Sequence, residues 1–80
     1  MTTELVILEL QAIHCRLKNS NKKVEPNDSF RDLGYDSMDM IEFLLEVETK
    51  FHIRISNPVM LAIKSPYDLI PIIIQLHKDE

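Results

Sequence analysis

Apolar residues recur at helical spacing in three stretches of the chain, over residues 3–18, 37–51 and 66–78. Intervals of three and four residues place apolar side chains on one face of an α-helix. The first stripe consists of Val6, Leu10, Ile13 and Leu17. We therefore expect three main helices, each with one face buried in a common core.

Capping residues predict where the first two helices begin. Thr2 or Thr3 can cap the first helix, because a threonine hydroxyl can accept a hydrogen bond from a free N–H of the first turn. Asp36 is expected to cap the second helix, with Asp39 three residues further on.

Proline residues mark the later elements. Residues 52–56 alternate in polarity and predict a short extended link, after which Asn57 is the expected N-cap of a short helix over residues 58–63. Pro66 is expected to begin the last helix. Pro71 lies past its first turn and should kink the helix or delay its regular part.

The connection between the first two helices, residues 19–36, is long for a compact domain, and loops of this length tend to be functional. Val24, Phe30 and Leu33 are expected to anchor it to the core. Gly34, the only glycine, should end a single helical turn within it. Residues 1–80 are therefore expected to form one domain, an all-α four-helix bundle of three main helices and one short helix.

The amino-acid composition excludes several classes of protein. The single cysteine, Cys15, excludes an internal disulfide and is typical of a reducing compartment. The histidines are scattered, so no metal site is expected. The N-terminal residues do not have the pattern of a signal peptide, and the apolar run 69–76 is too short to span a bilayer. We expect a cytoplasmic monomer.

The charges are unevenly distributed along the chain, whose formal net charge is −4. Basic residues cluster in residues 16–23, and residues 36–48 contain five acids and no base. Such an acidic stretch repels nucleic acid and favours a partner with a basic patch.

Ser37 is the candidate for chemistry, because it lies on the first turn of a predicted helix between carboxylates. A serine hydrolase would need a nearby histidine base and a Gly-x-Ser-x-Gly turn, neither of which is present in the sequence around Ser37. A phosphodiester on Ser37 would suit the helix N-terminus, where free N–H groups favour an anion. The residues alone favour a simpler role for Ser37, in which its side chain only helps to cap the helix.

The stretch Phe30-Arg31-Asp32-Leu33-Gly34-Tyr35-Asp36-Ser37-Met38-Asp39, followed by Ile41-Glu42-Phe43, by residues 46–51 and by Ile53-x-Ile55, resembles acyl carrier proteins. The resemblance implies that a phosphopantetheinyl transferase attaches 4′-phosphopantetheine from coenzyme A to Ser37. The thiol of this group would hold acyl groups as thioesters and pass them between enzymes of fatty-acid or specialised, polyketide-like biosynthesis. The chain would not itself be an enzyme.

The same resemblance implies roles for the residues around Ser37. Asp36 would support the modification. Partners would be the transferase and acyl-loading and acyl-transferring enzymes with basic docking patches. The residues expected to contact them are Met38, Asp39, Met40, Glu42, Glu46 and Glu48. The residues expected to line an acyl pocket are Phe43, Leu44, Val47 and Ile63.

Some positions depart from the family pattern, notably the uncharged short helix near Asn57 and the proline at position 71. They favour a specialised, stand-alone carrier. Two alternatives are a peptidyl or aminoacyl carrier and an unmodified bundle that acts as an interaction subunit. The unmodified bundle would not need Ser37.

Overall fold

The computed structural model describes residues 2–78, and all regular secondary structure in that range is helical, with no β-strand. The helices in chain order are α1 (Thr3–Lys18), α2 (Ser37–Phe51), α3 (Asn57–Ala62) and α4 (Leu69–Lys78). The expected bundle of three main helices and one short helix, with a long first loop, is confirmed. None of the helices in residues 2–78 has the length and hydrophobicity needed to cross a membrane.

The predicted first and last residues of α1 and α2 are confirmed. Thr2 Oγ1 accepts a hydrogen bond from the N–H of Leu5 at 3.2 Å and so caps α1. Asp36 caps α2 together with Asp39. Asn19 and His52 end the two helices in the left-handed conformation, with φ of 50° and 55°.

The predicted start of α3 is wrong by one residue. Ser56, not Asn57, is the N-cap, because the first helical hydrogen bond runs from the N–H of Met60 to the carbonyl of Ser56 at 2.9 Å. Ser56 makes no side-chain capping bond, and α3 has no fully buried residue. This helix is therefore held only by its partly buried side chains.

The last helix also begins later than predicted. Residues Pro66–Asp68 form a 3₁₀ turn, and the regular helix α4 begins at Leu69. The Asp68 carboxylate accepts hydrogen bonds from the N–H groups of Lys64, at 3.0 Å, and Ser65, at 3.1 Å. Pro71 is the third residue of α4. The residue four positions before it lies outside the helix, so α4 contains no carbonyl to which an N–H at this position would bond. The regular part of the helix is thus delayed, as expected.

Three aromatic rings fix the long loop against α2. Phe30 lies with its ring centroid 5.1 Å from that of Tyr35 and 5.1 Å from that of Phe43, in tilted and edge-to-face arrangements. Backbone bonds at 2.9 Å link Phe30 N–H to the Lys64 carbonyl and Tyr35 N–H to the Phe30 carbonyl. Val24 is buried as well, and Leu33 packs against the core, so the predicted anchors are confirmed.

Gly34 turns the chain from this loop into α2. Its φ is +84°, a conformation that residues with a Cβ rarely adopt. The turn before it is closed by bonds from Asp32 N–H to Ser29 Oγ at 2.9 Å and from Gly34 N–H to the Arg31 carbonyl at 3.0 Å.

A buried polar pair joins α1 to the same loop. His14 Nδ1 lies 2.8 Å from the Tyr35 hydroxyl, and the two rings stack with centroids 5.6 Å apart. Burial is the main cause that lowers the pKa of His14, helped by the positive charges of Lys22 and Lys18 and opposed by Asp28. Burial likewise raises the pKa of Tyr35. Both groups are therefore neutral near pH 7, and the contact of 2.8 Å is a hydrogen bond between two uncharged side chains.

Replacing Gly34 should test the strain at this turn. We expect Gly34→Ala to lower the free energy of unfolding by about 1–2 kcal/mol, because no atom lies within 4 Å of the added Cβ and the cost is backbone strain alone. Gly34→Asn should cost less, since asparagine tolerates positive φ better. Urea denaturation followed by circular dichroism measures both. Equal losses for the two variants would contradict this explanation.

The buried histidine should make stability depend on pH. As the pH falls below about 6.5, the unfolded chain takes up a proton on His14 before the folded chain does, so the free energy of unfolding should decrease. His14→Gln should reduce that decrease between about pH 7.5 and about pH 5.5, whereas His77→Gln, the control, should retain it. Urea denaturation at each pH measures the effect. A wild-type chain with constant stability over this range would rule the explanation out.

Candidate functional site

Ser37 is the first residue of α2 and its side chain is exposed. The N–H groups of Ser37 and Met38 belong to the first helical turn, where no carbonyl lies four residues earlier in the helix. An exposed hydroxyl is thus placed beside N–H donors at the positive end of the helix dipole, which favours a bound anion.

Asp36 and Asp39 determine where α2 starts. Asp36 Oδ1 accepts from the N–H of Asp39 at 2.8 Å, and Asp39 Oδ2 accepts from the N–H of Asp36 at 3.2 Å. The Met40 N–H bonds to the Asp36 carbonyl at 3.0 Å. These reciprocal bonds hold the backbone around Ser37 in one conformation, and loss of the oxygen acceptor on either side chain would weaken that restraint.

Lys18 of α1 connects this helix start to the loop. Its Nζ lies 2.9 Å from Asp39 Oδ2, 3.2 Å from the Gly34 carbonyl oxygen, and 5.4 Å from the ring centroid of Tyr35. The hydrogen bond from Lys18 is the main cause that lowers the pKa of the Asp39 carboxyl, and the N–H of Asp36 adds to it. Asp39 is therefore ionised at neutral pH, and its charge is compensated within the chain.

The other acids of α2 differ in their surroundings. Glu46 pairs with Arg16 of α1, and Glu48 Oε2 accepts from the N–H of Ile55 at 2.7 Å. Glu42 is exposed, and within residues 2–78 no ion pair to it occurs. The acidic stretch seen in the sequence is therefore partly neutralised by the basic end of α1.

An apolar cleft lies beside Ser37, between α2 and α3, with a volume of about 430 Å³. Its lining residues are Ser37, Met40, Ile41, Leu44, Asn57, Met60 and Leu61. A flexible arm attached to Ser37 would begin at the edge of this cleft.

The structure places the predicted pocket residues in different environments. All four are buried in the core, but only Leu44 also borders the cleft beside Ser37, whereas Ile63 borders a separate cleft toward α4. Their role toward an acyl chain stays a prediction. Sequence reasoning missed Ile41, which follows Ser37 by four residues and so shares its helix face.

The cleft also contains residues of α3 that the sequence prediction left out. Met60 and Leu61 line the cleft on the side of α3. The signal in the sequence is the composition of the short helix, which is uncharged and rich in apolar residues.

The predicted partner residues are likewise divided. Met38 is exposed, Met40 lines the cleft, and Glu42 is exposed. Asp39, Glu46 and Glu48 make the intramolecular contacts described above. Within residues 2–78 no hydrogen bond joins Ser37 to a histidine, so the described site does not supply the base that a serine hydrolase requires.

Comparison with known proteins agrees with this geometry. A family profile described as "Phosphopantetheine attachment site" matches residues 10–71. The chain is 38% identical over 71 residues to an acyl carrier protein of Syntrophus aciditrophicus (strain SB), covering 88% of this chain and 86% of that protein.

Two further proteins extend the comparison. An acyl carrier protein homolog of Mycoplasmopsis pulmonis (strain UAB CTIP) is 34% identical over 61 residues, covering 76% of this chain and 84% of that protein. The crystal structure of an acyl carrier protein from Thermotoga maritima superimposes with a TM-score of 0.85 at 26% identity, covering 96% of this chain and 92% of that one.

The matched region contains the loop, the start of α2 and the cleft, and it spans more than half of the chain. The chain therefore belongs to the acyl carrier protein family, whose members are carriers rather than enzymes and bear a covalently attached 4′-phosphopantetheine group.

Proposed function

We propose that Ser37 is the attachment residue of the 4′-phosphopantetheine group. The observation that supports this most directly is its position, as an exposed serine that begins α2 beside an apolar cleft. The first-turn N–H groups suit the phosphate of a phosphodiester, and the cleft suits an apolar chain. When bound, the group supplies a terminal thiol that carries an acyl group as a thioester.

The modification of Ser37 is a phosphoryl-group transfer. Ser37 Oγ forms a bond to the phosphorus next to the pantetheine part of coenzyme A, and the phosphoanhydride bond of coenzyme A breaks. Adenosine 3′,5′-bisphosphate leaves, and the hydroxyl proton passes to a base of the transferase. The chain contributes a fixed and accessible hydroxyl, and the transferase contributes the catalytic groups.

Asp36 is proposed to support that reaction in addition to capping α2. Its capping bond uses one of its two carboxylate oxygens, and its side chain is exposed. An exposed carboxylate beside the reacting hydroxyl fits a divalent cation held jointly with the transferase and the diphosphate of coenzyme A.

We further propose that the chain passes acyl groups between enzymes of fatty-acid or specialised, polyketide-like biosynthesis in the cytoplasm. The apolar cleft supports an acyl rather than a polar cargo, because its lining contains four large aliphatic or thioether side chains besides Leu44. Enzymes that act on the carried group must approach the face of the bundle that contains Ser37.

Replacement of Ser37 tests the attachment residue. After incubation with coenzyme A, magnesium and a broad-specificity phosphopantetheinyl transferase, the wild type should gain the mass of one phosphopantetheine group, and Ser37→Ala should gain none. Ser56→Ala, which removes an exposed serine without a side-chain capping bond, should behave as the wild type. Intact-mass spectrometry measures the result. Modification of Ser37→Ala would refute the assignment.

A second variant separates the two roles of Asp36. Asparagine is as good an N-cap as aspartate, so Asp36→Asn should leave the melting temperature nearly unchanged. Loss of the charge should nevertheless lower kcat/KM for modification by about tenfold or more.

The control for this variant is Asp32→Asn, which removes an exposed acid from the preceding turn and should retain wild-type kcat/KM. An Asp36→Asn chain that is modified at the wild-type rate would show that capping is the only function of Asp36.

A further inference from the structure

A second apolar cleft is separate from the cleft beside Ser37. It lies between the link 52–56, α3 and α4, and its volume is about 510 Å³. The two clefts share no lining residue. We call the second one the Arg54 cleft; its apolar lining residues are Ile55, Val59, Pro71, Ile72 and Leu76. A mainly apolar cleft of this volume is typical of a binding site for a small molecule.

Arg54 gives this cleft its charge. Among residues 2–78 it is the only charged residue that lines the cleft, and its side chain is exposed. Over the same range no ion pair or hydrogen bond to its side chain occurs. Glu48 accepts from the N–H of the adjacent residue, Ile55, at 2.7 Å, but it is not paired with Arg54. The guanidinium is therefore available to an anion that lies in the cleft.

The helices around the cleft add no acid that would repel such an anion. α3 contains no charged residue, and residues 69–76 of α4 contain none. An arginine guanidinium stays protonated and can donate two parallel N–H bonds to one carboxylate. One unpaired cation beside an apolar wall is thus complementary to a molecule with a carboxylate head and an aliphatic chain.

We propose that the Arg54 cleft binds a free aliphatic carboxylate, with its carboxylate on Arg54 and its chain against Val59 and Ile72. Burial of the chain supplies most of the affinity, because an ion pair with an exposed arginine contributes little by itself. The ion pair selects the sign of the head group. The ligand is the free acid of the kind of group that acyl carrier proteins hold as a thioester, but its binding requires neither Ser37 nor the prosthetic group.

The test uses decanoate as the probe, below the concentration at which it forms micelles, and follows its binding by two-dimensional amide NMR of the isotope-labelled chain. The amide signals of Ile55, Val59 and Ile72 should shift and saturate. Those of Ile41 and Leu44, beside Ser37, should shift little. From hexanoate to octanoate to decanoate the affinity should rise about fivefold at each step, because two more methylene groups are buried. Decylammonium, which has the opposite charge, should bind at these amides at least about tenfold more weakly than decanoate.

Variants of Arg54 test the role of its charge. Arg54→Gln should lower the affinity for decanoate about three- to tenfold. Arg54→Glu should reverse the preference, so that decylammonium binds more tightly than decanoate, a gain that loss of folding does not produce. Arg31→Gln is the matched control, since Arg31 is also exposed and lies outside the cleft. Its affinity for decanoate should stay within about twofold of the wild type.

Further outcomes distinguish this proposal from the proposed function. Ser37→Ala should bind decanoate as the wild type does. Shifts centred on Ile41 and Leu44 would place decanoate in the cleft beside Ser37, and the proposal would be wrong. Shifts that do not saturate, or an Arg54→Gln affinity equal to that of the wild type, would also overturn it. A wild type that binds decanoate at Arg54 but gains no phosphopantetheine mass would refute the proposed function and support this proposal. Circular dichroism melts show whether each variant is folded.

Discussion

The packing of Phe30 against Tyr35 and Phe43 determines where α2 can begin. Burying an aromatic side chain of this size contributes roughly 1.5–3 kcal/mol, whereas an exposed ion pair contributes about 0–1 kcal/mol. The aromatic contacts therefore position the loop. The ion pairs between α1 and α2 change the surface charge of α2 but contribute little to the position of the loop. Gly34 and the Asp36–Asp39 capping bonds convert that position into a single backbone conformation at Ser37.

Much of this arrangement was predictable from the sequence because it depends on contacts between residues close in the chain. The apolar stripes predicted α1, α2 and the last helix, and the Asp36 to Asp39 spacing predicted the start of α2. The predicted starts of α3 and α4, near Ser56 and Pro66, were wrong, and these errors also have a local cause. A proline permits a helix to begin but does not decide whether the first turn is α or 3₁₀.

Contacts between distant residues were not predictable in the same way. His14 and Tyr35 are 21 positions apart, and Arg16 and Glu46 are 30 positions apart. Each pair forms only because α1 packs against the loop and α2 at one particular rotation. The count of acids in residues 36–48 was correct, but the sequence alone did not show that Asp39 and Glu46 pair with Lys18 and Arg16 of α1.

The short helix α3 has no fully buried residue and no side-chain cap, while α2, across the cleft, has four buried side chains in the core. Local opening of a helix requires only the contacts of that helix to break, so α3 belongs to the low-stability end of the molecule. The two walls of the cleft therefore differ in stiffness. Widening the cleft disturbs the half-buried Val59 and Met60 rather than the aromatic cluster. Movement of α3 would therefore change the width of the cleft with little effect on the capping bonds that fix the backbone at Ser37.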